Sequence, residues 1–196
     1  MALCFVHGAA GYLAYEAVRR NGPPRPALLA AAVTLANAPD LDFLPGLLVG
    51  HPSIFHRGLT HTIAAAVAVG AVTWIACRIL RRHQRAALWA ALWVAATYAS
   101  HLVLDFFTTD AKPPHGAPLL WPLSDRYLIS PVTPFGEVII DPSGRAAFLR
   151  SLIQPAALRV WVAEVALLVL VVVAVRIVRL VRAALEAGPV EVPDEP

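Results

Sequence analysis

Residues 37–62 read NAPDLDFLPGLLVGHPSIFHRGLTHT, and residues 100–105 read SHLVLD. Both stretches place histidine and aspartate side chains at the ends of apolar segments that are long enough to enter a lipid bilayer. An ionisable side chain in such a position is costly because lipid does not solvate it, so its presence is typical of a functional site. The candidate residues in the two stretches are Asp40, Asp42, His56, Arg57, His61, His101 and Asp105. They predict a metal site on one face of a membrane bundle.

The composition is that of an integral membrane protein. The chain has 196 residues, of which 58% are hydrophobic and 15% are charged. Soluble domains carry about a quarter charged residues, and the mean hydropathy of +0.64 is also typical of a membrane protein. The length suits one compact unit, so we expect residues 1–183 to form a single membrane-embedded domain.

Apolar segments predict an all-α, multi-pass membrane bundle of about four to five transmembrane helices. The segments are residues 2–18, 26–38, 58–80, 86–107 and 156–180. Residues 26–38 are short for a span, and we expect the apolar FLPGLLVG that follows Asp42 to extend this segment or to re-enter the membrane edge.

Two parts of the chain are predicted to lie outside the membrane. Residues 108–155 are polar and rich in proline, which indicates a long extracytoplasmic loop with its own order. Within it, Phe135–Asp141 could form a short strand that is followed by a turn. Residues 184–196 predict a disordered cytoplasmic tail.

Arginines mark one side of the membrane. They follow the first segment, precede the second, separate the third from the fourth and follow the last. Cytoplasmic loops are enriched in arginine, so this side is predicted to be cytoplasmic, with the N-terminus outside and the C-terminus inside. The candidate residues then lie at the opposite face, together with His7. Because the arginines act as topology signals, the expected partner of the chain is the lipid bilayer and not nucleic acid.

The spacing of His101 and Asp105 places both on one face of a helix, where they can bind one ion. A hydrogen bond between them within the bundle explains the same spacing. Asp40 and Asp42 can point the same way in an extended chain, or they can cap a helix end or lie in a solvated loop.

His56 and His61 are five residues apart and cannot share a helix face, so they meet only if the helix begins between them. Gly58 makes such a break plausible. Arg57 is placed to clamp a phosphate or carboxylate, although an arginine at the interface also snorkels towards lipid headgroups.

Imidazole and carboxylate ligands without thiolates suit zinc, manganese or iron. The two cysteines, Cys4 and Cys77, are too few for a thiolate centre. A divalent ion at such a site activates water and polarises an ester or phosphoryl oxygen, so hydrolysis is the expected reaction class. The sequence contains neither a His-Glu-x-x-His motif nor a Gly-x-Ser-x-Gly elbow.

The order of these motifs resembles the YdjM-like, LexA-binding, inner-membrane-associated family of metal-dependent hydrolases. The residues that carry the resemblance are His7, PDLD at Pro39–Asp42, HRGLTH at His56–His61, SHLVLD at Ser100–Asp105 and PLLWPLS at Pro118–Ser124. The resemblance implies a bacterial multi-pass inner-membrane protein with a hydrolase site. It assigns the following residues to that site: His7, Asp40, Asp42, His56, His61, His101 and Asp105. A looser similarity to zinc-dependent phospholipase C enzymes favours a phosphoester substrate.

The resulting hypothesis is a metal-dependent hydrolase that acts on a lipid or lipid-linked ester or phosphoester at the extracytoplasmic interface. Zinc is the first expectation for the ion, with manganese or iron as alternatives. The expected metal ligands are His7, Asp40, His56, His61, His101 and Asp105. Asp42 would orient a ligand or act as a base, and Arg57 would hold an anionic headgroup. The alternatives are a transporter or proton relay that uses the same groups, or a structural or regulatory membrane protein.

Overall fold

The computed structural model describes residues 4–19, 23–51 and 54–186. In these residues the chain forms seven α-helices: α1 Cys4–Val18, α2 Pro26–Ala36, α3 Phe43–Leu48, α4 Ile63–Ile79, α5 Gln84–Phe106, α6 Arg145–Leu152 and α7 Pro155–Glu186. Two short 3₁₀ helices, Ala38–Asp42 and Leu59–His61, precede α3 and α4. The start of the first predicted segment, the arginine at position 20 and the predicted tail from residue 187 onward lie outside the described residues.

The predicted all-α fold is confirmed for the described part of the chain. Each of the five predicted apolar segments contains one helix: α1, α2, α4, α5 and α7 in chain order. By length and composition, α5 and α7 can each cross a membrane. The pair Pro26–Ala36 and Ala38–Leu48, which is bent by 62°, adds a third candidate span. The apolar helix α4 is shorter.

The loop between α5 and α7 differs from the prediction in two ways. It contains α6, and the strand expected at Phe135–Asp141 does not form, because Phe135 makes only an isolated bridge with Thr108. Pro131 and Pro134 precede this stretch and have no backbone N–H to donate to a ladder. The predicted turn is present at residues 142–143.

The loop covers the end of the bundle at which α4 begins and α5 ends. The N–H of Ile63 donates to the carbonyl of Leu119 at 2.9 Å, and the N–H of Ser130 donates to the carbonyl of Phe106 at 2.8 Å. A buried apolar cluster then joins the loop to α3, α6 and α7; its members are Phe43, Val138, Ile140, Phe148 and Ala157. The loop is therefore packed against the helices.

Helix α1 lies at the centre of the bundle, in contact with α2, α5 and α7. Its approach to α2 is close, because a Cβ atom at Gly11 would lie 2.7 Å from the Ala32 carbonyl oxygen and from Val33 Cα. Small residues permit such contacts between membrane helices. Polar contacts add to the packing, since Trp93 Nε1 on α5 donates to the Ala14 carbonyl at 3.0 Å.

The buried carboxylate of Glu164 on α7 holds the beginning of α1. It accepts a hydrogen bond of 3.3 Å from the N–H of Val6, in the first turn of α1. The first N–H groups of a helix have no partner within the helix, so a buried acceptor is needed here. This contact fixes the turn of α1 that carries His7.

The close approach of α1 and α2 predicts that the same Gly→Ala substitution affects the stability of the bundle differently at two positions of α1. Gly11→Ala should destabilise the bundle by about 1–3 kcal/mol, because the added methyl group overpacks the interface with Ala32. Gly8→Ala is the matched control, since its Cβ would meet only Val33 Cγ1 at 3.9 Å, an ordinary contact. Thermal unfolding of the two variants in the same detergent measures the difference. Equal stability of the two variants would contradict the described helix contact.

Candidate metal centre

The structure brings the four predicted histidines and three predicted aspartates into one cluster at one end of the bundle. His7 lies on α1, and Asp40 and Asp42 lie on the 3₁₀ helix after α2. His56 and His61 lie in the segment that leads into α4, and His101 and Asp105 lie on α5. The side chains of His7, His61 and His101 are fully buried, and Asp105 is 2% exposed. Such burial of ionisable groups is unfavourable unless each has a partner.

Local breaks in the helices place these side chains. Pro39 follows the end of α2 and starts the 3₁₀ helix that carries Asp40 and Asp42. Gly58 precedes the second 3₁₀ helix, which ends at His61, so His61 lies just before α4 and not in its first turn. The break expected at Gly58 is therefore present.

The central ligand atoms are spaced as they would be around a metal ion. Oδ1 of Asp40 lies 3.4 Å from His101 Nε2 and 3.5 Å from His61 Nε2. Oδ2 of Asp105 lies 3.6 Å from His61 Nε2 and 3.7 Å from His101 Nε2. These distances are too long for good hydrogen bonds. Four ligands about 2.1 Å from a tetrahedral ion lie about 3.4 Å from one another.

The same atoms have no hydrogen-bond partner in the described part of the chain. The unpartnered buried atoms of the cluster are both ring nitrogens of His7, Asp40 Oδ1, His56 Nε2, His61 Nε2, His101 Nε2 and both carboxylate oxygens of Asp105. An unsatisfied buried polar group costs about 1–3 kcal/mol. A bound cation would satisfy several of these atoms at once, and the donor set is one that zinc, manganese or iron accepts.

Three of the histidines are oriented through their Nδ1 atoms. His101 Nδ1 lies 2.9 Å from the Ala36 carbonyl and can only donate to it. His56 Nδ1 donates to Asp42 Oδ1 at 3.0 Å, and His61 Nδ1 lies 3.2 Å from Asp42 Oδ2. A proton on Nδ1 leaves the lone pair of Nε2 for an ion, which is the usual arrangement around metal-binding histidines.

Both carboxylate oxygens of Asp42 contact polar groups of neighbouring side chains. Besides His56 and His61, it accepts a hydrogen bond of 2.8 Å from the hydroxyl of Thr60, which itself lies 3.0 Å from His61 Nδ1. Tyr98 donates to the Thr60 carbonyl at 2.7 Å and so fixes this residue. The geometry suits Asp42 to orient two histidines.

The electrostatic environment shifts the pKa values of the two histidines that precede α4 in opposite directions. Burial lowers the pKa of His56, and the hydrogen bond to Asp42 offsets this only in part. Burial also lowers the pKa of His61, but contacts with Asp40 and Asp42 outweigh it and raise the pKa to about 9. These contacts favour the protonated form of His61, so metal binding at its nitrogen would compete with that proton.

Arg57 is held against the cluster in an unusual backbone conformation. Its φ is +58°, in the left-handed region that non-glycine residues rarely adopt. Its Nη1 is paired with Asp110, its Nε lies 3.7 Å from Asp105 Oδ2, and its Nη2 is buried without a hydrogen-bond partner in the described residues. Strained backbone of this kind persists where surrounding contacts over-determine it, often at functional sites.

Two cavities meet at the edge of the cluster, and both are lined by Ile54, His56, Arg57 and Tyr127. The first, of about 370 Å³, also has charged residues in its wall: Asp110, Lys112 and Glu137. The second, of about 650 Å³, has an apolar wall that includes Leu41, Pro45, Phe55 and Leu59. The site therefore lies beside one cavity of mixed charged and apolar lining and one of mainly apolar lining.

All eight residues singled out from the sequence lie at this cluster, and three contacts were not foreseen. Thr60 lies within the quoted HRGLTH motif, but nothing in its spacing indicates its bond to Asp42. The Arg57–Asp110 pair and the bond from His101 to the Ala36 carbonyl join residues that are far apart in the sequence. The loop residue Trp121 lines neither cavity.

Within the described residues, the groups that could hold a metal ion are His7, His101 and Asp105, and Asp40, His56 and His61. No curated protein and no solved structure matches the chain. The sequence model of the YdjM inner membrane protein family matches residues 1–183, which include every residue of the cluster. The chain therefore belongs to the YdjM inner membrane protein family.

Proposed function

We propose that this protein is a membrane-bound, metal-dependent hydrolase that acts on a lipid or lipid-linked ester or phosphoester at the outer membrane–water interface. The observation that carries the proposal is the set of buried, unpartnered imidazole nitrogens and carboxylate oxygens at metal-ligand spacing beside two cavities. Membership of an inner-membrane family and the apolar helices support a lipid environment.

The proposed ion is divalent, with zinc first and manganese or iron as alternatives. The proposed ligands are His7, Asp40, His56, His61, His101 and Asp105. Such an ion supplies a nucleophilic water at neutral pH and polarises the oxygen of the scissile group. The protein excludes bulk water through burial of the cluster and fixes the ligand geometry through the Nδ1 contacts of the histidines.

Two further residues have proposed roles in the reaction. Asp42 orients His56 and His61, because both of its oxygens are occupied by these rings and by Thr60. Arg57 lines both cavities and carries a buried, unpartnered Nη2, so it is suited to hold an anionic oxygen of the substrate.

The two cavities support an amphipathic substrate. The apolar cavity contains side chains that are about half exposed, such as Leu41 at 54% and Phe55 at 50%. Exposed apolar surface beside a site indicates a binding role. The charged cavity on the other side of Arg57 suits a polar headgroup, and the scissile bond would lie between the two.

The proposed topology places the site outside. Five spans, the upper value of the predicted four to five, result if α1, α4, α5, α7 and the bent α2–α3 pair each cross the membrane. Arginines at the far ends of α4 and α7 then face the cytoplasm, with the N-terminus outside and the C-terminus inside. The cluster and residues 108–155 lie together at the opposite end of the bundle, which this topology makes extracytoplasmic.

The metal site predicts a loss of bound ion on substitution of α5 residues. Elemental analysis of the detergent-purified protein should find at least one equivalent of zinc, manganese or iron per chain. His101→Ala and Asp105→Ala should each lose at least one equivalent, because each removes a ligand atom. His83→Ala and Asp125→Ala are the matched controls, since both residues are exposed and lie outside the cluster.

Absence of metal from the wild type, even after reconstitution, would rule out the metal-dependent reaction. A stoichiometric metal without turnover, combined with ion transport in sealed vesicles, would favour the relay instead.

The catalytic roles predict different kinetic effects on hydrolysis of a fluorogenic phospholipid in mixed micelles. Asp42→Asn should lower kcat/KM by about 10–100-fold, as expected when a partner of metal ligands is lost. Arg57→Gln should mainly raise KM for anionic headgroups, because its charge is placed to bind substrate. Arg126→Gln, an exposed loop arginine, is the control. Unchanged kinetics in both site variants would contradict these assignments.

A further inference from the structure

The cluster contains more ligand atoms than one ion can bind. A single tetrahedral ion would take one atom each from Asp40, His61, His101 and Asp105, whose N···O distances are 3.4–3.7 Å. His7 and the second oxygen of Asp105 would remain buried without a hydrogen-bond partner in the described residues, as would His56 Nε2. Leaving these atoms unsatisfied would be unfavourable, because a buried polar group loses its contacts with water.

The seven side chains contain two groups of the same composition. His7, His101 and Asp105 form one group, and Asp40, His56 and His61 form the other. Each group has two histidines and one aspartate, and its three ligand atoms lie within 4.8 Å of one another. Two imidazoles and a carboxylate are a common protein ligand set for a catalytic ion that keeps open positions for water and substrate.

The two groups are adjacent and share their carboxylates. Asp40 Oδ1 of the second group lies 3.4 Å from His101 Nε2 of the first, and Asp105 Oδ2 of the first lies 3.6 Å from His61 Nε2 of the second. The other oxygen of Asp105 lies 3.5 Å from His7 Nε2. Asp105 Oδ2 is also 3.7 Å from His101 Nε2, so this oxygen lies between a histidine of each group and the carboxylate is within reach of both.

The charges of the cluster agree with two cations. Asp40, Asp42 and Asp105 carry three negative charges in a largely buried site, and the nearby Arg57 is itself paired with Asp110. One divalent ion would leave the three aspartates with a net negative charge, whereas two divalent ions would supply enough positive charge to compensate them.

We propose that the cluster is a two-metal site, with one ion at His7, His101 and Asp105 and a second ion at Asp40, His56 and His61. This inference rests on the proposed metal-dependent function and narrows its substrate. Paired ions stabilise both the attacking and the leaving oxygen of an in-line displacement, which is the chemistry of phosphoesters. The amphipathic substrate is accordingly a lipid phosphoester.

The test uses the full-length protein in detergent, stripped with a chelator and reloaded with Mn²⁺. Wild type should bind two ions per chain and give the electron paramagnetic resonance spectrum of an exchange-coupled Mn²⁺ pair. His7→Ala and His56→Ala should each bind one ion and give an uncoupled spectrum, because each variant loses a ligand of one group only. His83→Ala should keep two coupled ions.

One uncoupled ion per chain in wild type, unchanged in His7→Ala and His56→Ala, would overturn the two-metal site. The wild-type spectrum alone decides this if a variant does not fold. If protein that binds a single ion hydrolyses the substrate, the proposed function is retained and the two-metal site is overturned. Two coupled ions without hydrolysis of any phosphoester would refute the function and retain the site. No bound manganese after reloading, together with no zinc or iron in the protein as purified, would overturn both.

Discussion

The structure depends on how the negative charges of Asp40, Asp42 and Asp105 are compensated. They lie in one cluster in which Asp105 is buried and Asp40 and Asp42 are partly buried, so water solvates their charges poorly. Arg57 provides one nearby positive charge and shares it with Asp110. Oxygens of Asp40 and Asp105 keep no hydrogen-bond partner in the described part of the chain. Further positive charge would stabilise such an arrangement, and the surrounding imidazole nitrogens and carboxylate oxygens form groups that could hold a metal ion.

The bundle holds these groups in place through contacts that are individually simple. Gly11 lets α1 approach α2, and Glu164 holds the first turn of α1, so the backbone around His7 is fixed from two sides. Pro39 and Gly58 interrupt the helices and are equally needed to form the cluster, because short segments turn towards it at these residues. The loop after α5 packs over the same end. A rigid scaffold of this kind maintains ligand geometry to within the tolerance that metal chemistry needs.

Much of this arrangement was predictable because it follows from local sequence. Hydropathy located α5 and α7 to within a few residues, except that α7 extends to Glu186, beyond the apolar run. The spacing of His101 and Asp105 fixed their common helix face, and Gly58 indicated the break before α4. The clustering of histidines and aspartates at segment ends indicated which end of the bundle carries the site. Each of these inferences depends on residues that are close in the chain.

Hydropathy thus located α1, α2, α4, α5 and α7, and the histidines and aspartates at the segment ends gave the candidate residues. Only the tertiary structure decided which atoms meet: the bond of His101 to the Ala36 carbonyl, the pairing of Arg57 with Asp110 and the division of the ligands into two adjacent groups. These contacts join residues separated by tens of positions in the sequence. Their distances are set by how the helices pack and where the loop returns, and no local pattern in the sequence contains that information.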